Sequence, residues 1–215
     1  MRSCNKIQDK LNVLEKYYAQ WKIKVNADKS EAVYFKKGRI WNPNDDLTLT
    51  FNGTQIDFKA CVKYLGYRLQ SNIKHNEHVN QNIVKATIAL RTLYPIMKVN
   101  NGISSEVKTK VYTSIIRPAL IYGIPAWHNA PKYLMKKIIM FENKCLRLAI
   151  YFRRTRMNYR FISNDVLHEM TKVQRVNDFM HKLSLKFLQS TKFSENRIIR
   201  SLGNMTLTVM MSMVH

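Results

Sequence analysis

Asn52-Gly53 lies between two alternating runs and constrains the architecture of this chain more than any other dipeptide in it. Leu47, Leu49 and Phe51 alternate with Thr48 and Thr50, and Thr54-Gln-Ile56-Asp-Phe58 returns with the same period of two. Asparagine and glycine tolerate the positive φ required at both centres of a tight two-residue turn, whose twist matches paired strands. The pattern predicts an antiparallel hairpin over 47–58. A sheet built on it needs something apolar against one face.

The segment before the hairpin offers that cover. Ile7, Leu11, Leu14, Tyr18 and Trp21 recur at spacings of four and three, one face of a helix, with Lys6, Lys10, Lys16 and Gln20 largely off the stripe. Ala32-Val-Tyr-Phe35 reads as a short strand, and Val62 to Leu69 as another, with Gly66 where a backbone can approach closely. Past His75 the period becomes helical. Val79, Ile83, Ala86, Leu90 and Leu93 mark one helix, which Pro95 disrupts near its end. Ser104 or Ser105 caps the next, through Val107, Val111, Ile115 and Ile116, and Pro118 should kink or break it. Ala130-Pro131 opens a third, with Leu134, Ile138, Phe141, Cys145 and Leu148 inside. Asn164 or Asp165 caps a last helix running to Phe187. The fold class expected is α+β: residues 1–70 a helix with antiparallel strands, 71–188 helical, and 189–215 a tail without an evident place.

Net charge is +22, from 36 basic and 14 acidic residues, and it is shared equally by residues 1–131 and 132–215. A charge of that size, spread through the folded body, points to a polyanionic partner tracked along a groove. Nucleic acid is preferred over a membrane surface. No apolar run approaches the length of a membrane span, and Met1-Arg-Ser-Cys leads into polar residues. Cys4, Cys61 and Cys145 form no Cys-x-x-Cys pair, so a reducing intracellular setting fits better than a disulfide or zinc framework.

Two acidic or histidine clusters invite a metal reading and do not sustain it. Asp45-Asp46 is an adjacent carboxylate pair of the kind two-metal transfer requires, but it follows the turn former Asn42-Pro43-Asn44. His75-x-x-His78 has no cysteine or acidic cluster beside it in sequence, and His78 reads as a helix-start or packing residue.

The order of two short motifs carries the functional reading. Trp21-Lys-Ile-Lys-Val-Asn26-Ala-Asp-Lys29-Ser30-Glu-Ala-Val-Tyr-Phe35 precedes Val62-Lys-Tyr64-Leu65-Gly66-Tyr-Arg-Leu69. In that order they resemble the last two palm motifs of reverse transcriptases from non-LTR, jockey-type retrotransposons. Ile115 to Gly123, Trp127 and Asn143-Lys144-Cys145-Leu146-Arg147 resemble the helical thumb of the same elements. The resemblance implies a partial palm followed by a thumb. It makes Lys29 a candidate general acid that protonates or stabilises departing pyrophosphate. It makes Tyr64, Leu65 and Gly66 a primer grip. It also lays Arg117, Lys136, Lys137, Lys144, Arg147, Arg153, Arg154 and Arg156 toward a duplex of RNA template and DNA primer. Residue by residue, the alternatives are a solvated turn lysine, an ordinary strand glycine and a charged outer helix face.

The same resemblance implies magnesium in the complete enzyme and an intracellular protein with access to the nucleus. The strand-turn-strand with Tyr-Ala-Asp-Asp that holds the metals would lie upstream of Met1. The chain is therefore expected to hold no metal of its own and not to polymerise alone. Three readings stay open: a palm/thumb piece of a mobile-element polymerase, a basic nucleic-acid-binding module without enzymatic role, and a piece completed by a separate upstream chain. The sequence sets no oligomeric state.

Overall fold

The computed structural model describes residues 2–36, 48–98, 101–150 and 162–201. The chain divides into two compact units, Met1–His78 and Val79–His215. The order of elements in the sequence places the change at residues 70–71; the division falls after His78, and both His75 and His78 meet a tyrosine of the sheet unit. The Tyr67 hydroxyl meets His75 Nδ1 at 2.8 Å, and the Tyr67 and His78 rings stack at 3.9 Å. Both histidines of the His-x-x-His pair are thus engaged with one tyrosine.

In the first unit, α1 (Arg2–Gln20) lies over a three-stranded sheet ordered β1 (Glu31–Ala32), β3 (Thr54–Phe58), β2 (Leu49–Phe51). Leu49, Phe51 and Ile56 are buried, and Leu11 and Tyr18 of the helix pack against them with Val25, Ala32 and Phe58. The expected hairpin is present: Leu49 pairs with Ile56 and Phe51 with Thr54, across Asn52 and Gly53 at φ 49° and 73°. β2 is an edge strand, and α1 satisfies its backbone. Gln8 donates through Nε2 to Thr50 O (3.0 Å) and accepts from Thr50 N–H at Oε1 (2.9 Å). Glu15 Oε1 accepts from Asn52 N–H at 2.5 Å. An amide that bonds both groups of one edge residue does the work of a further strand.

Two strand expectations change. The strand expected at 32–35 is only Glu31–Ala32, paired in parallel with Asp57 and Phe58. The single strand expected over 62–69 is a second hairpin, β4 (Cys61–Tyr64) against β5 (Tyr67–Gln70), turning at Leu65-Gly66. Both turn residues have positive φ, 47° and 81°. A leucine in that region is uncommon, and alternation alone did not reveal the turn.

The second unit is helical: α2 (Asn76–Thr92, whose first turn belongs to the sheet unit), α3 (Tyr94–Met97), α4 (Ser105–Val111), α5 (Arg117–Leu120), α6 (Ile124–Trp127), α7 (Lys132–Ala149), α8 (Asn164–Thr171) and α9 (Val176–Lys192). Ser104 caps α4 as expected, accepting from Val107 N–H at 3.4 Å. Pro118 does not break the chain's path there. The winding between α4 and α5 widens into a π-turn over Tyr112–Ile116, in which Arg117 N–H bonds Tyr112 O. The wider turn accommodates a proline ring that would otherwise collide with the carbonyl four residues back. The last expected helix is two. Ser163, not Asn164 or Asp165, caps α8, which ends at Lys172 in the left-handed region (φ 53°), and α9 starts again at Val176 and reaches Lys192. Trp127, Tyr112, Ile116, Leu134, Ile138 and Leu146 are among the fully buried side chains of this unit.

Candidate nucleic-acid interface

Residues 26–30 form a self-contained turn. Asn26 Oδ1 accepts from Lys29 N–H at 3.2 Å, and Ser30 Oγ donates to Asn26 O at 3.0 Å, closing a single 3-10 turn, Ala27–Lys29, against β3. The Asn-x-x-Lys-Ser spacing therefore has a local structural reason, and it leaves the Lys29 side chain exposed. Tyr64 and Leu65 stand out at the tip of the β4–β5 hairpin, Leu65 with 77% of its surface exposed, and Gly66 completes the turn.

The outer face of α7 carries the basic stripe. Tyr133, Lys136, Lys137, Met140 and Lys144 recur at three- and four-residue steps and are all exposed. Glu142 is the acidic residue of α7, and it points inward with 1% of its surface accessible. The stripe is thus free of carboxylates along its own helix. Lys137 Nζ reaches Asn80 Oδ1 at 3.3 Å. Arg147 is half-buried and donates to Asn164 Oδ1 at 2.7 Å, so it bridges α7 to the start of α8. Arg153, Arg154 and Arg156 lie outside the described residues, as does Asp45-Asp46.

Arg117 is corrected by the structure: it is not on this surface. It is buried, its Nη2 bonded to Glu142 Oε1 at 2.6 Å and to Gln174 O, with its head over the rings of Phe179 (4.8 Å) and Tyr112 (5.4 Å). The reason is the π-turn. On an α-helix residue 117 would stand about 140° away from residue 112. In a winding closed five residues back it sits above Tyr112 and shares its inward face. Tyr112 Oη also donates to Glu142 Oε1 (3.0 Å), and Val176 N–H donates to Oε2 (2.8 Å). Burial opposes the Arg117 charge, but Glu142 and Tyr112 more than offset this and hold its pKa above the ordinary value, while burial pushes the Tyr112 phenol up. Sequence reasoning missed Glu142. The signal was there: it shares the buried stripe of Ile138, Cys145 and Leu146 on α7.

Among the described residues no group of three or more His, Cys, Asp or Glu could hold a metal, so these residues offer no fitting donor set for the magnesium ions that the resemblance implies. Among the same residues no helix is long and apolar enough to cross a membrane.

A mixed sheet unit followed by a helical unit with an outward basic stripe is the arrangement expected of a palm followed by a thumb in a template-directed polymerase. Known proteins agree. The chain is 27% identical over 202 residues to the RNA-directed DNA polymerase from mobile element jockey of Drosophila melanogaster, covering 92% of this chain and 20% of that protein. It is 24% identical over 197 residues to the probable RNA-directed DNA polymerase from transposon X-element of the same fly, covering 92% and 21%. It is 23% identical over 129 residues to the retrovirus-related Pol polyprotein from type-1 retrotransposable element R1 of Bradysia coprophila, covering 60% and 12%. The chain is a relative of the reverse transcriptases of jockey- and R1-type non-LTR retrotransposons. It spans about a fifth of the length of the jockey and X-element proteins. No family model and no solved structure matches it.

Proposed function

We propose that this chain is a palm/thumb part of a mobile-element RNA-directed DNA polymerase that holds a duplex of RNA template and DNA primer without catalysing its extension by itself. The observation that carries this reading is the outer face of α7, where Lys136, Lys137 and Lys144 are exposed together and the acidic residue of the helix is turned inward. Phosphate oxygens meeting such a face release counterions, giving affinity that falls with salt and ignores base sequence. Tyr64, Leu65 and Gly66 would lie against the primer end. Lys29 would act only in a complete enzyme, as the proton donor to pyrophosphate. Asp45-Asp46 is the one adjacent aspartate pair in the chain, and it falls after the Lys29 motif.

The test is a salt titration of binding to an RNA–DNA duplex, with the intact chain and a Lys136→Gln/Lys137→Gln/Lys144→Gln variant. Each phosphate contact contributes about 0.9 to the slope of log affinity on log salt, so losing three should flatten it by roughly 2 to 3. An unchanged slope would remove α7 from the interface, and salt-independent binding would overturn the reading altogether. The intact chain is expected to give no template-dependent primer extension with magnesium. Extension abolished by Asp45→Asn/Asp46→Asn would return that pair to the active site.

A further inference from the structure

We infer that the outward arc of α2, between Lys137 on one side and Tyr122 on the other, binds an unpaired strand of nucleic acid, with a base stacked on Tyr122. The inference rests on the polyanion reading above but assigns other residues and a different form of ligand. Asn80, Val84, Lys85 and Ile88 are exposed, and at about 100° per residue they span roughly 140° of the helix surface. Lys137 Nζ marks one margin, at 3.3 Å from Asn80 Oδ1. Lys85 Nζ marks the other, at 5.6 Å from the Tyr122 ring centroid.

Tyr122 is presented by a turn fixed from beneath. Its carbonyl oxygen accepts from Asn82 Nδ2 at 3.0 Å and from Trp127 Nε1 at 2.9 Å, and both of those side chains are completely buried. Gly123, at φ 72°, then redirects the chain into α6. Two interior donors converging on the carbonyl of a half-exposed tyrosine hold its backbone in place, so a base meeting the ring orders little else. A cation over an exposed aromatic ring is a weak partner, and stacking with a base is a stronger one. Lys85 can therefore yield the ring to a base and take the adjoining phosphate.

The apolar members of the arc separate this ligand from a duplex. Val84 and Ile88 are each about half exposed, and a duplex backbone would leave both unused. An unpaired strand brings sugars and base faces to them along with its phosphates. Charge favours the same choice over an apolar protein partner. From Asn76 to Phe141 the chain has two acidic residues, Glu77 in the first turn of α2, at the N-terminal end of the arc, and Glu106, which is paired with Lys110 at 2.8 Å, against nine lysines and arginines.

The test uses the full chain and a pyrimidine single strand carrying 5-iodouracil, photocrosslinked and mapped by peptide mass. Its affinity is measured alongside that of an RNA–DNA duplex for the parent, Tyr122→Leu, Tyr122→Phe and Lys85→Gln. Crosslinking at Tyr122 is expected, with about tenfold weaker single-strand binding for Tyr122→Leu, little change for Tyr122→Phe and a loss of severalfold for Lys85→Gln. Duplex binding should stay within about twofold throughout. Thermal melts identify any variant that fails to fold. Should Tyr122→Leu be one of them, the crosslink map of the parent and the single-strand affinity of Lys85→Gln decide instead. Crosslinks mapping off α2 and Tyr122, or full single-strand affinity in folded Tyr122→Leu, would overturn the inference while leaving the duplex reading intact. Binding of neither nucleic acid would remove both.

Discussion

The sheet unit and the helical unit treat lysine, arginine and glutamate side chains differently: among the described residues only the helical unit buries them. In the sheet unit the described buried apolar core is small, Leu49, Phe51 and Ile56; Gln70, Ser71, Asn72 and His78 are buried as well, and Gln8 and Glu15 satisfy the outer edge of β2. In the helical unit the interior is deep enough to enclose Trp127, Tyr112 and Leu134, and it also encloses an arginine, a glutamate and a histidine. Glu142 accepts from Arg117, Tyr112 and the backbone of Val176, while His168 meets Val173 O at 2.9 Å and Asn143 Oδ1 at 3.2 Å. The difference teaches that a basic residue in a very basic chain is not thereby a ligand-binding residue. In the helical unit Arg117 and Lys108 are structural: Lys108 Nζ is buried against Lys98 O at 2.8 Å.

The strongest way to break this comparison is to cut the buried pair. Arg117→Met leaves the enclosed Glu142 without its ion-pair partner, so the helical unit should lose about 3–5 kcal/mol in denaturant unfolding. Removing both charges, Arg117→Met with Glu142→Gln, should recover a large part of that loss. If Arg117→Met unfolds like the parent but weakens duplex binding as much as Lys137→Gln does, Arg117 belongs to the surface after all.

A smaller effect probes the sheet unit, whose hairpin depends on backbone conformation more than on burial. A Cβ on Gly53 would meet nothing within 4 Å, so Gly53→Ala isolates the cost of φ +73° without a steric clash. That cost is about 1–2 kcal/mol. Hydrogen exchange at Thr50 and Thr54 should accelerate while amides within α7 keep their protection. Equal acceleration in both places would mean that the units do not unfold separately.

What could be read in the sequence follows the range of the forces concerned. The Asn52-Gly53 hairpin and the Ser104 cap are set by residues within a few positions of each other, and they are found where expected. The α1 stripe is found only in part: Leu11 and Tyr18 pack on the sheet, while Ile7, Leu14 and Trp21 are exposed and Trp21 lies just past the helix end. The Leu65-Gly66 turn was hidden because leucine gives no warning of positive φ. The split of the last helix was hidden because Lys172 gives none either. Arg117 was misplaced by a single extra residue in one helical turn, which rotated its side chain from the outer face to the inner one. The basic stripe was legible as lysines but not as a surface, because its meaning depends on where Glu142 points. Tyr122 belongs to the stretch 115–123 that carries the thumb resemblance, but its anchoring was not legible, because its carbonyl partners, Asn82 and Trp127, lie forty residues upstream and five downstream of it.

The smallest effect compares the two units through one probe each, Cys61 and Cys145, both free thiols. Burial raises both, but Cys61 has Arg68 beside it to oppose the shift, whereas Cys145, fully enclosed on α7, is pushed up to about 12. In a Cys4→Ser background, Cys61 should be alkylated slowly near pH 8, but faster than Cys145, which should react only on unfolding. The sign for stability follows from the same shift. Below the ordinary thiol pKa of 9.0 both folded and unfolded states keep the proton, and the Cys145 contribution is fully present. Above it the unfolded chain ionises first, so stability falls as pH rises toward 12, by about 1 kcal/mol at pH 10. Lysines titrate over the same interval, so the measurement is the difference between the parent and Cys145→Ala. That difference should shrink steadily above pH 9. A difference that does not change with pH, or alkylation of the two thiols at equal rates in the folded protein, would show that the interior of the helical unit is no drier than the margin of the sheet.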